Sequence, residues 1–270
     1  MAKNIIKARY ITFFLIIFSL TFVYIPKSFG SSKIQTGIGY NETWGNYGTN
    51  YTTSLIYIPL NINYYPNSTF NFSATIPYED VSKPASATLI NGVPVQRGGV
   101  SSSATTTESG LGDIVLAGNY NIINQLNNHS LPTLTATAFV DLPTASESKG
   151  LGTGQTNFGF NLGLTQLIKS YFYFINGGYT VLGKPSGVNG LSNPLSAYAG
   201  AGKLVTNNLS FAVSGAWTQA FISGTHDTVT GNLSLIYTVV KNNTIGVTYI
   251  KGFTNESPSE GIMLNYTLGF

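Results

Sequence analysis

From Lys33 onward, apolar side chains recur at every second position in short runs, and the positions between them are mostly Gly, Asn, Ser or Thr. In the first run, Lys33 to Asn41, Ile34, Thr36, Ile38 and Tyr40 share one face, with Gly37 and Gly39 on the other. Thr52 to Tyr64 sets Ile56, Ile58, Leu60 and Ile62 against Asn61 and Asn63. Thr69 to Tyr78 sets Phe70, Phe72, Ala74 and Ile76 against Asn71, Ser73 and Thr75. Successive side chains of a strand point to opposite faces, so this period of two predicts β-strands and not helices.

The pattern continues in Asp113 to Ile122, where Ile114, Leu116, Tyr120 and Ile122 oppose Val115, Ala117, Asn119 and Asn121. In Thr133 to Leu142, Leu134, Ala136, Ala138 and Val140 oppose Thr135, Thr137, Phe139 and Asp141. In Thr156 to Leu167, Phe158, Phe160, Leu162 and Leu164 oppose Asn157, Gly159, Asn161 and Gly163. Six further runs are Tyr171 to Leu182, Ser196 to Leu204, Leu209 to Thr218, Thr228 to Thr238, Thr244 to Phe253 and Gly261 to Phe270. The total is twelve predicted strands, an even number such as a single-chain bacterial barrel requires.

The connections support that count. Short links at Tyr65 to Ser68, Ile123 to Pro132, Ile168 to Ser170, Val205 to Asn208 and Val239 to Asn243 alternate with mostly longer ones. Short periplasmic turns and long outer loops alternate in this way in outer-membrane barrels. The longest link, Glu79 to Gly112, is rich in Ser, Thr and Gly, and it either stands outside or folds into the lumen. Aromatics gather at strand ends as girdles would: Tyr64, Tyr120, Tyr171, Tyr237 and Phe270 at the inner boundary, and Tyr40, Tyr78, Trp217 and Phe253 at the outer. The last strand closes on Phe270 with Leu264, Tyr266 and Leu268 alternating before it, which resembles the signal read by the barrel-assembly machinery.

The first thirty residues belong to another pattern. Lys3, Lys7 and Arg9 precede a charge-free, mostly apolar run from Ile11 to Ile25, Pro26 breaks it, and Ser28-Phe29-Gly30 offers a small-x-small cleavage site. This is a secretory signal peptide, cut after Gly30, with a single barrel domain over 31–270. The run is shorter than the ~20 residues a membrane helix needs.

Composition narrows the function. Removing the signal takes four of the thirteen basic residues, leaving nine against ten acidic, so the basic balance that nucleic-acid binding requires is lost. The sequence has no Cys, and so neither disulfides nor a lipidation site, and its two His are far apart at His129 and His226, so no metal or cofactor is expected. Only 9% of residues are charged, against about 25% in soluble domains. A lipid-facing barrel accounts for that, because in lipid every backbone amide must be paired internally. The fold class expected is therefore all-β: a single 12-stranded antiparallel transmembrane β-barrel in meander order.

Candidate chemistry is sparse. A nucleophile needs its base in hydrogen-bond reach and a third group to orient it. Thr225-His226-Asp227 does not reproduce the His-Ser-Asn-Gly pattern of the outer-membrane phospholipase, so no catalytic residue is assigned. The predicted lumen face is small and uncharged, and twelve strands enclose more space than side chains fill in an eight-stranded barrel. The residues expected to line the lumen or its mouth are Glu79, Asp80, Asp113, Asn119, Phe139, Asp141, Asn157 and Asn161.

Gly110-Leu111-Gly112-Asp113 leading into a strand, Leu142-Pro143-Thr144 closing one, Gly152-Thr153-Gly154 before Asn157 to Leu164, and Pro77-Tyr78 resemble the outer-membrane family named for a meta-pathway of phenol degradation. The resemblance implies a transporter-like barrel that passes small hydrophobic or aromatic compounds. Its partners would then be outer-membrane lipid, a small apolar or aromatic solute, and the barrel-assembly machinery during biogenesis. The other reading is a barrel that anchors outer loops for binding a partner.

Overall fold

The computed structural model describes residues 33–48, 51–90, 93–96, 104–125, 130–240 and 242–270. The signal-peptide segment 1–30 and His129 lie outside the described residues.

Fifteen strands follow one another: β1 (Ile34–Gly45), β2 (Thr53–Tyr64), β3 (Phe70–Pro84), β4 (Ala87–Ile90), β5 (Val93–Gln96), β6 (Thr105–Leu111), β7 (Ile114–Ile123), β8 (Thr133–Leu142), β9 (Asn157–Ile168), β10 (Tyr171–Val181), β11 (Leu195–Leu204), β12 (Leu209–Thr218), β13 (Thr228–Val240), β14 (Asn243–Gly252) and β15 (Glu260–Gly269). Twelve of them, β1 to β3 and β7 to β15, pair antiparallel with their neighbours, and pairing of β1 with β15 and of β2 with β3 closes the ring. Closure leaves no unpaired edge, which is what lets strands cross lipid.

The outward face is the apolar one. Ile38, Leu60, Phe72, Leu116, Phe160, Ile175, Val213, Leu235, Val247 and Leu264 are exposed, and the residue between each pair of outward positions turns inward. Girdle aromatics Tyr64, Tyr120, Tyr171 and Tyr237 are exposed at the short-turn end, and Tyr78 and Phe253 at the other. Tyr171 also carries the Lys203 ammonium 5.3 Å above its ring, a pairing that suits the polar boundary of a membrane. At the short-turn end, Lys169 (φ 56°) and Asn242 (φ 72°) take the left-handed conformation that tight reversals demand.

One seam is irregular. The β6–β7 stretch pairs with β3 on both sides of a break: Leu111 faces Tyr78 and Val115 faces Thr75, four residues on one strand against three on the other. The extra residue lies within Gly112-Asp113-Ile114, opposite Pro77, which has no N–H for the ladder, and the Gly112 N–H donates to the Pro77 carbonyl at 2.9 Å. The long link thus contains β6, the outer end of β3, and a separate hairpin of β4 and β5.

Candidate functional site

The break between β6 and β7 is held by short-range chemistry at the barrel's mouth, the end that carries the long connections. Thr144, just past β8, donates its hydroxyl to the Gly112 carbonyl and accepts from the Ile114 N–H, both at 2.9 Å. Asp113 accepts from the Ala145 N–H at 2.8 Å. A methyl group on Gly112 would stand 2.6 Å from Glu79 Oε1, and one on Gly152 would stand 2.7 Å from Ala145 Cβ, so both positions admit only glycine without a shift. Pro77, Gly112, Asp113, Thr144 and Gly152 therefore form one knot.

The knot gathers three carboxylates. Glu79 on β3, Asp141 on β8 and Asp113 in the break interact electrostatically with one another, and Tyr57 on β2, directly across from Glu79, feels both Glu79 and Asp141. Glu79 and Asp141 are each 5% exposed. Asp141 Oδ2 accepts from Asn157 Nδ2 at 2.7 Å, and Asn157 Oδ1 in turn accepts from the Gly183 N–H at 3.0 Å. Burial pushes the Asp113 carboxyl above the usual carboxylate range, against the opposing pull of the Ala145 and Thr144 N–H groups. Asp80 is not part of this group: strand alternation puts it on the outward face of β3, between inward Glu79 and Val81.

Below the mouth, Asn and Thr side chains cross-link neighbouring strands on the lumen wall. Asn119 donates to Asn71 and accepts from the Thr137 hydroxyl, Asn121 accepts from Thr135, and Asn61 accepts from Thr75. Asn161 faces the lumen as well, 6% exposed. Phe139 lies on Gly159 across the β8–β9 pair so closely that a methyl there would meet its ring at 2.0 Å. Nearer the short-turn end, Phe172, Phe174 and Tyr198 stack in the lumen over Gly200 and Gly202, with ring centroids 6.5 and 5.1 Å apart. The Tyr198 hydroxyl bonds Ser214 at 2.9 Å.

The β4–β5 hairpin settles the two expectations for the long link in favour of inward folding. Thr88, Leu89, Ile90 and Val95 are all 2% exposed or less. Leu89, Ile90 and Val95 pack with Leu55 and Val81 on the barrel wall, and with Tyr47, Leu151, Leu182, Phe221 and Ile222 from the other connections at the mouth. Contacts from that many sides place the hairpin across the opening. The Leu89 N–H donates to the Gly150 carbonyl and the Thr88 hydroxyl to the Gly152 carbonyl, each at 2.9 Å, and the Lys83 ammonium donates to the Ala87 carbonyl.

The family described as "Putative MetA-pathway of phenol degradation" matches residues 52–268. The chain belongs to that family. Among solved structures it is similar to the COG4313 outer membrane channel from Pseudomonas putida F1, with a TM-score of 0.69 at 14% identity, covering 90% of this chain and 97% of that one. The NanC porin follows at TM-score 0.52 and 12% identity, covering 88% of this chain and 98% of that chain. The translocator domain of the autotransporter NalP from Neisseria meningitidis gives 0.53 at 8% identity, with 90% of each chain covered. Identities this low carry the fold alone, that of an outer-membrane β-barrel. No curated protein matches.

Pro77, Gly112, Thr144 and Gly152, four of the residues that carry the resemblance in the sequence, meet in the knot at the mouth. Three groups of residues went unassigned in the sequence. Tyr57 lies on the polar face of an already recognised strand. Phe172 and Phe174 sit in Tyr171 to Ile175, where both faces are apolar and alternation is silent. Ala87–Ile90 and Val93–Gln96 flank Asn91-Gly92, a dipeptide that is itself a strong hairpin signal. Beside His226, Asp227 holds the Trp217 indole N–H and the Ala220 N–H, each at 2.9 Å.

Proposed function

We propose that this outer-membrane barrel is a channel for passive passage of small apolar or aromatic solutes. The observation that carries the reading is the division of the lumen. Its wall is built from glycine, small polar side chains and the Phe139 and Phe172–Phe174–Tyr198 aromatic surfaces, while the carboxylates collect at the mouth. A charged solute would find little counter-charge along such a wall, whereas an uncharged one meets hydrogen-bonding groups and the half-buried Tyr198 ring, with Phe139, Phe172 and Phe174 packed on glycines behind them. The family's description, which refers to phenol degradation, and the channel similar to this barrel agree with that choice. The lumen candidates Asn119, Phe139, Asn157 and Asn161 would contact solute, with Glu79, Asp113 and Asp141 at the entrance.

The test is conductance in planar bilayers. Purified protein in planar bilayers should give discrete conductance steps that added phenol or toluene alters, and folded protein with no such steps would refute the channel. The loops packed across the mouth favour a second reading, a barrel that anchors a binding surface. Deleting residues 85–104 would abolish activity under that reading and increase flux under the first. For biogenesis, we read 1–30 as a signal cleaved after Gly30 and β15, ending beside Phe270, as the strand offered to the assembly machinery. Amino-terminal sequencing of the exported protein, expected to begin at Ser31, and loss of assembly on deleting Phe270 test these two points.

A further inference from the structure

The hairpin that closes the mouth is held there chiefly by apolar contact. The Ala85 N–H donates to the Ala104 carbonyl at 2.9 Å, one step past the last β3–β6 pair, Pro84 with Thr105. Beyond that bond, among the described residues, the chain leaves the ladder and β4 pairs only with β5. No residue from Ala87 to Gln96 is charged. Leu89, Ile90 and Val95 fill a seat made by Leu55, Val81, Leu151, Leu182, Phe221 and Ile222, whose side chains offer no hydrogen-bonding group. Polar contacts are confined to the hairpin's base, where Gly150 and Gly152 receive Leu89 and Thr88, and Lys83 reaches the Ala87 carbonyl. A methyl on Gly150 would stand 2.8 Å from the Ala87 carbonyl oxygen, so the base lies directly on that connection while the apolar face does the filling.

We propose that this seat is the channel's receptor site for a small apolar solute, and that a solute occupying it displaces the hairpin and opens the mouth, an inference that rests on the channel reading. Apolar burial is non-directional and scales with the area covered, so a hydrocarbon of leucine size or larger can stand in for the side chains of Leu89 and Ile90. Solute and hairpin then compete for one surface. Each bound molecule favours the undocked state, by as much as the solute prefers that state over the docked one. A polar molecule of the same size cannot compete, because its hydroxyls would give up water in a seat that returns no hydrogen bond. The hairpin's base bonds are lost on undocking, but water replaces them, so apolar contact decides the balance. The mouth is thereby closed to polar molecules at rest and opened by the solute class that the channel passes.

Toluene and cyclohexane test the assignment against inositol, a six-carbon ring with a hydroxyl on every carbon. Mature protein purified from the outer membrane is kept folded in detergent, and protease cleavage within residues 85–104 is followed with each probe. With toluene at about ten times its dissociation constant, the undocked-to-docked ratio and the cleavage rate should rise about tenfold, the barrel strands remaining uncut. Cyclohexane should act likewise and inositol should not. In planar bilayers toluene should lengthen the time spent in a higher-conductance state. A variant lacking residues 87–96 should occupy that state throughout and not respond to toluene, which separates opening of the mouth from any effect on the bilayer; the cleavage measurement on the parent stands even if this variant fails to fold. Toluene that leaves cleavage unchanged or slows it, or inositol that matches toluene, would overturn the displacement, while conductance steps would still uphold the channel. Folded parent protein without conductance steps, in the presence or absence of toluene, would overturn both.

Discussion

Leu89→Ala tests whether the β4–β5 hairpin is a separately docked element at the mouth. Leu89 is 2% exposed within the cluster formed by Leu55, Val81, Phe221 and Ile222, and its neighbours Ile90 and Val95 are equally enclosed. Truncating such a buried leucine costs about 2–5 kcal/mol. Among the described residues the hairpin pairs only with itself and forms no ladder with the barrel strands, so the loss should fall on docking and leave the barrel intact. Since each ~1.4 kcal/mol is a factor of ten in an equilibrium, the undocked population should rise at least about thirtyfold. In planar bilayers the variant should spend correspondingly more time in a higher-conductance state, and protease should cut faster between residues 85 and 104. The unfolding midpoint of the barrel in urea should stay near the parent's. Conductance and cleavage within twofold of the parent, together with an earlier unfolding midpoint, would refute the reasoning and make the hairpin part of the barrel's own core.

Other consequences can be measured on the same preparation. Gly159→Val drives a branched side chain into the Phe139 ring and should destabilise the barrel by about 1–3 kcal/mol in urea unfolding. Leu235→Arg puts a charge on the lipid face in the middle of β13 and should cost about 2–4 kcal/mol, whereas Ser234→Arg, one residue away and facing the lumen, should cost less and reduce conductance. The raised pKa of Asp113 means that the folded state holds its proton more tightly than the unfolded state. Its contribution is then fully present below the ordinary Asp value of 3.8 and is lost as pH rises through the folded value. The unfolding midpoint of Asp113→Asn should accordingly fall less than the parent's between pH 4 and pH 7, and parallel curves would contradict this.

The barrel was legible because lipid enforces a strict alternation. Thr133 to Leu142 and Leu209 to Thr218 have the same bounds in the sequence pattern and in the fold, and the other barrel strands begin within two residues of expectation. Ends were less readable: β3 runs on to Pro84 and β1 to Gly45, past the lipid boundary, where alternation of apolar and polar residues no longer carries information. Thr105-Thr106-Thr107 looked like loop composition yet forms β6, because β3 offers a ladder that propensity cannot foresee. The site was legible in part. Glu79, Asp113 and Asp141 were recognisable as strand-end acids, but their meeting depends on Pro77 and Gly112 bending one seam, and Asp80 fell to the other face for the simple reason that it is next to Glu79. Inward Phe172 and Phe174 were hidden by a strand apolar on both faces.

The absence of cysteine from the sequence permits a direct test of passage through the lumen. Thr137 faces the lumen, where its hydroxyl meets Asn119, and Ala138 beside it faces outward. Single variants Thr137→Cys and Ala138→Cys, each treated with a bulky thiol reagent and placed in planar bilayers, would be compared for conductance. Passage through the barrel should be blocked by the label at Thr137→Cys and not by the label at Ala138→Cys. Equal conductance of the two labelled proteins, with labelling complete in both, would contradict a lumen route.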